Sequence, residues 1–464
     1  MTSLRRAIEA YHSLLTNDAA LAQATAAQLD DQQRRRGLFF GERAIASVLR
    51  PRFLTTSQYH YLQRSIGAIL PAFAKAEAAA LRDPNVLEQF MLSDWEKSLL
   101  AFEPGFSSSP NARMDCFFVT DEVETGTLAM TEYNAETPAA VGYTDVLSEV
   151  FLSLPAMGEL QRDYELRPLP GRHHMLHALR DAFARSGVGT PGEAMRVVIA
   201  DWKEVPTYSE FRIFRDYFRS MGVDCVIGDP RQMRFDGERL MVVDEDGRDF
   251  HANVIYKRVL LTELATRSPE KLEHPIFKAV NARKAVLSNP YRCKILHQKA
   301  SLAVLSDERN RHLFSAAEQR AIRAFIPWTR ELSERYTEYE GARVDLVRFL
   351  RDNKDILVLK PNDEYGGKGI VLGWTVDQTE WERKIAEYLR EKAIVQRKVI
   401  IPSEPYPSFV DGRVEVYDRM LDTDPYIWDS RWTSGCLTRL STADLLNVTA
   451  GGGSTVPSFI VEAR

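Results

Sequence analysis

Lysines, glycines and carboxylates at fixed spacings are the residues of this chain equipped for chemistry. In Leu357-Val358-Leu359-Lys360-Pro361-Asn362-Asp363-Glu364-Tyr365-Gly366-Gly367-Lys368-Gly369-Ile370-Val371, an apolar β-run ends in Lys360. A polar turn, a glycine-rich loop and a second β-run follow. Such a hairpin can fold its tip over a polyphosphate while the strand lysine grips it. Glycine lets the backbone approach phosphate closely and point N–H groups at its oxygens. The loop is not a Walker A, which needs G-x-x-x-x-G-K-[ST] opening a helix; here Gly369 and a strand-like run follow Lys368. A plain glycine-rich turn is the alternative.

A second set lies upstream. Asn111-Ala112-Arg113-Met114-Asp115-Cys116-Phe117-Phe118 and Leu128-Ala129-Met130-Thr131-Glu132-Tyr133-Asn134 read as strands, joined by the turn Asp121-Glu122-Val123-Glu124-Thr125-Gly126. A turn centred between Val123 and Glu124 sets Asp115 opposite Glu132 and Arg113 opposite Asn134. Side chains alternate along strands, so all four leave one face. Opposed carboxylates repel unless a cation lies between them. Two carboxylates and an amide oxygen make a hard ligand set suited to Mg²⁺ carrying phosphate. Arg113 beside them can stabilise a phosphoryl group in transit. The plain alternative is a solvent-facing side of a hairpin on which Arg113 neutralises the acids. Register is the sensitive point, because a slip of one residue reverses the faces. Lysine, glycine loop, metal ligands and arginine together are the parts of a phosphoryl-transfer site.

These parts need elements to hold them. Residues 1 to about 102 read as helical, with apolar residues at helical spacing as in Tyr61, Leu62, Ile66, Ile69 and Leu70. The cluster Ser107-Ser108-Ser109-Pro110 closes that region, the hairpin spans 111–134, and helices run on to about residue 186. From Arg196 the pattern becomes α/β. A buried-type strand at 197–200, a helix at 208–221, a strand at 225–227, a small polar hairpin and a strand at 253–256 predict a small parallel sheet flanked by helices. Residues 291–464 read as helices first and strands from Ile356 onward.

The chain's 464 residues carry a net charge of −5, which excludes the basic surplus that a duplex-binding protein needs. Cys116, Cys225, Cys293 and Cys436 lie far apart and read as free thiols in a reducing compartment. The first residues lack the apolar core of a signal peptide and no run approaches membrane-spanning length, so the expectation is a cytoplasmic protein with no membrane and no nucleic-acid partner. Three motifs mislead. Gly187-Val188-Gly189-Thr190-Pro191-Gly192 matches G-x-G-x-x-G but follows a helix and precedes a strand, the reverse of a dinucleotide fingerprint. His173 and His177 lack the glutamate of H-E-x-x-H and a nearby third ligand. Gly451-Gly452-Gly453-Ser454 can cradle an anion or serve as a turn.

The order of motifs resembles the circularly permuted ATP-grasp family, and in particular the synthetase domain of glutathionylspermidine synthase. Arg113-x-Asp115 is similar to that family's R-x-D, and Glu132-Tyr133-Asn134-Ala135-Glu136-Thr137-Pro138 to its E-x-N-A-D-T-P. Lys299-Ala300-Ser301-Leu302 resembles the lysine before the lid hairpin. Lys360 with Gly366-Gly367-Lys368-Gly369 follows, and then Ala393-Ile394-Val395-Gln396-Arg397 as the hinge strand. The resemblance covers roughly residues 110 to 464. It implies an α+β and α/β architecture: a helical N-terminal region at 1–105, a first ATP-grasp part with the magnesium hairpin at 106–165, an inserted pre-ATP-grasp-like α/β domain at 166–290 and the main ATP-grasp lobes at 291–464.

The resemblance also implies ATP and Mg²⁺ as cofactors. It makes Asp115, Glu132 and Asn134 the magnesium ligands and Arg113 the catalytic arginine. ATP falls to Lys299, Lys360, Gly366, Gly367, Lys368, Gly369 and Gln396. The implied reaction is ADP-forming ligation of a small-molecule or peptide carboxylate to an amine through an acyl phosphate. Phosphorylation supplies the leaving group that a carboxylate lacks, and a closed lid excludes water. The amine needs a base, which the sequence does not name. Arg258, after the strand ending Tyr256-Lys257, is either a holder of substrate carboxylate or a surface cation. Glu136 stands where the family has Asp and reads as structural. No amidase domain precedes the synthetase motifs, so no hydrolysis of the product is expected. A phosphotransferase and a non-catalytic ATP-binding module share the same ATP-site residues.

Overall fold

The computed structural model describes residues 3–120, 126–190, 192–364, 366–442 and 453–464. The turn residues Asp121–Thr125, Pro191, Tyr365 and the pair Gly451-Gly452 lie outside the described residues.

The architecture is mixed α/β, and three sheets frame the site. The largest, of seven strands, runs in the order Ser403–Val410, Arg413–Leu421, Trp432–Ser441, Asp424–Trp428, Asn111–Thr120 and Gly126–Asn134, with Ser454–Val456 paired on Trp432–Ser441. The hairpin 111–134 therefore joins C-terminal strands across a long gap in sequence, through the antiparallel pairs Tyr426–Arg113 and Trp428–Asn111. A second, four-stranded sheet is wholly parallel, in the order Val286–Ser288, Val254–Lys257, Arg196–Ala200 and Asp224–Gly228. Its Val- and Ile-rich strands are buried, as a sheet covered by helices on both faces requires. A third sheet pairs Thr329–Glu331, Ala393–Arg397, Leu357–Pro361 and Val371–Leu372 antiparallel. It forms the hairpin that carries the glycine loop.

The N-terminal region backs this framework. Thr55 caps the helix Thr56–Ala80 in a reciprocal box with Gln58. The apolar face of that helix, including Leu62, Ile66, Ile69 and Phe73, shares a core with Ala112, Met114, Cys116 and Phe118 of the hairpin. Phe73 and Tyr133 pack as a tilted pair at 4.7 Å between ring centroids. The region is not wholly helical as its pattern predicts. A hairpin at Phe39–Phe40 and Arg43–Ala44 and a strand at Arg52–Leu54 interrupt the helices. The strand pairs parallel with Ser458–Ala463 near the far end of the chain, and a three-residue run shows no periodicity to read. Strands at Thr329–Glu331, Tyr336–Tyr339 and Ala342–Asp345 likewise precede Ile356, and Tyr164–Pro168 breaks the helical stretch before residue 186. Gly187 caps the helix Arg172–Ser186 in left-handed geometry, so the G-x-G-x-x-G segment belongs to a helix-to-strand loop. No helix among the described residues is long and apolar enough to cross a membrane. All four cysteines are buried free thiols.

Phe459 is fully buried, paired in register with Phe53, and ties the N-terminal core to the last strand. Phe459→Ala is expected to destabilise the protein by about 3–5 kcal/mol, the usual cost of emptying such a site. A thermal melt as stable as wild type would show that this junction contributes nothing.

Candidate functional site

The site starts from a defect in a strand pair. Arg113 pairs with Asn134, and Asp115 with Glu132, the register that a turn centred between Val123 and Glu124 demands. The next pair is Cys116 with Met130, so Thr131 is an extra residue on its strand. Toward the tip the register is thus one residue away from the expected one. This bulge reconciles two phases of the sequence. Leu128 and Met130 face the core before it, and Tyr133 and Ala135 after it, leaving Glu132 and Asn134 on the opposite face. It also frees backbone groups: the Thr131 carbonyl accepts from Lys360 Nζ at 3.2 Å, and the Cys116 N–H donates to Asp424 Oδ1 at 3.0 Å.

Asp115 is the centre of a buried charge cluster. Arg113 clasps it with two bonds, Nε to Oδ1 at 2.7 Å and Nη2 to Oδ2 at 3.0 Å. Asn134 Nδ2 donates to Oδ1 at 2.9 Å and Arg439 Nη2 to Oδ2 at 2.7 Å. Arg439 also meets Asp422 at 2.6 Å and Asp424 at 3.0 Å. Arg113 and Asp115 are 7% and 5% exposed, so this face is not the solvated side of a hairpin. Burial works to raise the Asp115 pKa, but Arg113 and Arg439 outweigh it and hold the carboxyl well below its ordinary range. Asp424 moves the other way: burial first, then Asp115 and Asp422, push it well above that range. Asp422, Asp424 and Arg439 are the functional candidates that sequence reasoning missed. Their signal is a charge at inward positions of otherwise apolar strands, as in Leu421-Asp422-Thr423-Asp424 and Leu437-Thr438-Arg439-Leu440.

Lysines complete the cluster from the lid side. Lys299 Nζ meets Glu132 Oε1 at 3.0 Å and the Glu364 carbonyl. Lys360 Nζ donates to Gln396 Oε1 at 2.7 Å, and Gln396 Nε2 donates to Thr329 Oγ1 at 3.0 Å. Burial lowers the Lys360 pKa to about 8. Asp115, Glu132, Lys360 and Gln396 line one cavity of about 120 Å³, with Asp422 and Arg439. Arg113, Asn134 and Gly366 line a second, of about 320 Å³, and Arg439 is on the wall of both. Gly366, Gly367 and Gly369 take left-handed φ angles of 64°, 74° and 72°. A Cβ on Gly369 would stand 2.6 Å from Pro361 Cγ, so side chains there would reshape the loop. Lys368 is exposed and pairs with Glu364 at 3.3 Å, away from both cavities.

The second acid of the E-x-N-A-E-T-P segment is not at either cavity. Glu136 is fully buried, with Lys257 at 3.1 Å, Lys294 at 3.4 Å and the Leu261 N–H at 2.6 Å. Lys294 reaches on to Asp363, at the root of the glycine loop, at 2.6 Å. Arg258 is buried too, with Glu210 at 3.4 Å and the Pro138 carbonyl as partners, and so is no surface cation. His173 and His177 share a helix at 6.5 Å between rings. The donor types at Asp115, Glu132 and Asn134 suit Mg²⁺. Their present partners are the cations of Arg113, Arg439 and Lys299, and no ready cluster of three metal-binding side chains exists among the described residues.

The fold is mixed α/β and similar to that of a glutathione synthetase-like protein, with two cavities meeting at a buried charge cluster. The comparison that carries this is a solved glutathione synthetase-like effector, GSS30, from Globodera pallida, in its apo form. It superposes with a TM-score of 0.58 over 96% of this chain and 98% of its own, at 12% identity, a likeness of fold. No family model matches the sequence, and no curated protein matches it.

Asp115→Ala should leave the buried Arg113 guanidinium without its clasped partner and the half-buried Arg439 with one fewer, and destabilise the protein by roughly 3–5 kcal/mol near neutral pH. The sign with pH follows from the depressed carboxyl. Its stabilisation is present above the ordinary carboxylate range near pH ~4 and is lost as pH falls through the lowered value. The gap between wild type and variant in thermal melts should therefore close only in strong acid. Equal melts at pH 7 would contradict the assignment of Asp115 as the hub.

Proposed function

We propose that the chain is an ATP-dependent carboxylate–amine ligase of circularly permuted ATP-grasp type, forming an amide through an acyl phosphate. The observation that supports it is the junction of two cavities at one charge cluster. On this reading the smaller cavity, of about 120 Å³, takes only the base end of ATP, and the phosphates extend to the charge cluster. Lys360 and Lys299 contact those phosphates, Gln396 and its strand border the base, and the glycine loop 366–369 covers the polyphosphate. Asp115, Glu132 and the Asn134 carbonyl would hold Mg²⁺, which neutralises charge on the phosphates when bound. The carboxyl substrate enters from the larger cavity, where Arg113 faces the group in transit. A guanidinium placed there stabilises charge that develops on the phosphoryl oxygens. Glu136, joined to Lys294 and through it to Asp363, positions the loop and takes no part in chemistry.

One observation favours a second reading, a non-catalytic ATP-binding module. Both Asp115 oxygens already hold two N–H donors each, one of them from Arg439. A metal must displace a guanidinium to reach them. Incubation with ATP, Mg²⁺ and a panel of amino acids, peptides and polyamines, read by product mass spectrometry, separates the readings. A new amide with ADP supports the ligase, a stable phosphoproduct supports a phosphotransferase, and nucleotide binding with no product supports the module.

Lys360→Ala should weaken nucleotide binding about tenfold or more, since a charge-assisted phosphate contact contributes roughly 1.5–3 kcal/mol. Wild-type affinity should be level below pH about 8, where Lys360 is charged, and fall above it. Calorimetry showing neither effect would remove Lys360 from the phosphates. Arg113 calls for a gentler change, because its removal strands a buried acid. Arg113→Lys keeps a charge but loses the two-pronged geometry. It is expected to lower turnover by about tenfold or more with nucleotide affinity little changed. Wild-type turnover would return Arg113 to a purely structural role.

A further inference from the structure

The larger cavity is built by many separated parts of the chain, from Phe40 to Thr455, and charged groups of both signs line it. Arg113 and Arg439 stand on the side of the charge cluster. Asp201 and Glu263 stand on the side of the parallel sheet. Asp201 follows the strand Arg196–Ala200 and Arg258 follows Val254–Lys257, so both sit at the carboxyl ends of parallel strands, where α/β sheets take ligands.

Asp201 is the informative group. It is 6% exposed, and its carboxylate accepts the Trp202 N–H at 2.8 Å. Among the described residues it makes no ion pair. A buried carboxylate without a close cation is costly; burial, with Glu263 adding to it, pushes its pKa up to about 7 against the more distant Arg258 and Lys257. Nearby, Arg258 Nε is a buried donor without a hydrogen-bond partner. The Asp201 carboxylate thus lacks a close cation, whereas the Arg258 guanidinium already has Glu210 and the Pro138 carbonyl as partners. Between the two charged sides the wall is apolar, with Ile45, Val205, Leu260 and Leu437. Phe40 closes it from the N-terminal hairpin. That hairpin is fixed to the cavity rim by Gly41 N–H to the Pro206 carbonyl at 2.8 Å and by Tyr143 Oη–H to the Phe39 carbonyl at 2.7 Å.

Building on the ligase reading, we propose that this cavity binds an amino acid or short peptide with an apolar side chain. Its ammonium lies on Asp201 and Glu263, its carboxylate toward Arg113 and Arg439, and its side chain against Phe40 and Ile45. The N-terminal region, which carries none of the ATP motifs, then selects the substrate. The volume of about 320 Å³ suits a ligand of that size and is at the small end of ligand cavities.

The test is calorimetric titration of the full chain, with Mg²⁺ and a non-hydrolysable ATP analogue present, by glycyl-glycine, leucyl-leucine and N-acetyl-leucyl-leucine. Leucyl-leucine is expected to bind at least tenfold tighter than either of the others. Asp201→Asn should erase the difference between free and acetylated peptide. Phe40→Ala should erase the difference between leucyl and glycyl peptides. Both variants should keep wild-type affinity for the nucleotide analogue, which also shows that they fold. Equal binding of the three peptides by wild type, no binding of any, or unchanged discrimination in both variants overturns the proposal. Affinity for the analogue, measured separately in wild type and Lys360→Ala, decides the ligase reading independently.

Discussion

Asp115 cannot be buried unless cations come to it, and much of the tertiary structure answers that constraint. Four N–H donors from three side chains converge on its two oxygens. One of these side chains, Arg439, comes from a strand more than three hundred residues away in sequence and brings Asp422 and Asp424 into the same cluster. A charge in a low-dielectric interior is tolerable when paired and hydrogen-bonded, and costly otherwise. The pairing of Asp424–Trp428 with Asn111–Thr120 is what brings these partners within reach. The seven-stranded sheet and the charge cluster therefore presuppose each other.

A second network repeats this logic one layer away. Glu136 is held by Lys257 from the parallel sheet and Lys294 from a short helix, and Lys294 also holds Asp363 at the root of the glycine loop and Glu96 from the N-terminal region. Five segments of the chain are thereby tied at one buried point behind the cavities. The loop, whose Gly366 lines the larger cavity, is anchored at its base while its glycines keep left-handed freedom at its tip. The framework fixes where the loop starts, and the glycines leave open how it closes.

The N-terminal region supplies apolar bulk instead of charge. The helix Thr56–Ala80 packs under the hairpin that bears Arg113 and Asp115, covering the face opposite the cluster. Elsewhere, buried Arg50 and Arg52 reach Glu404 at 2.8 and 3.3 Å, and Arg50 lies over the Tyr406 ring at 3.9 Å. This region thus clamps both ends of the large sheet and contributes Phe40 to the wall of the larger cavity.

The sequence by itself determined the local features: the hairpin strands, the pairing of Asp115 with Glu132, the parallel-sheet strands near Val197 and Val254, and the glycine hairpin after Lys360. Each follows from alternation, composition or turn chemistry within a few residues, which is information the chain carries locally. Tertiary structure decided the rest. The bulge at Thr131 was written in the shift from Leu128 and Met130 to Tyr133 and Ala135, yet choosing it over a regular ladder needs the core that both pairs fill. The strand Arg52–Leu54 exists because Ser458–Ala463 lies beside it, and three residues have no periodicity of their own. Asp422, Asp424 and Arg439 look like misplaced charges until the fold sets them around Asp115. The same holds for Arg258 and Asp201, whose burial and pairing are properties of a cavity walled by distant segments. Which charges are paired and which await a partner depends on long-range contact, and no local pattern encodes it.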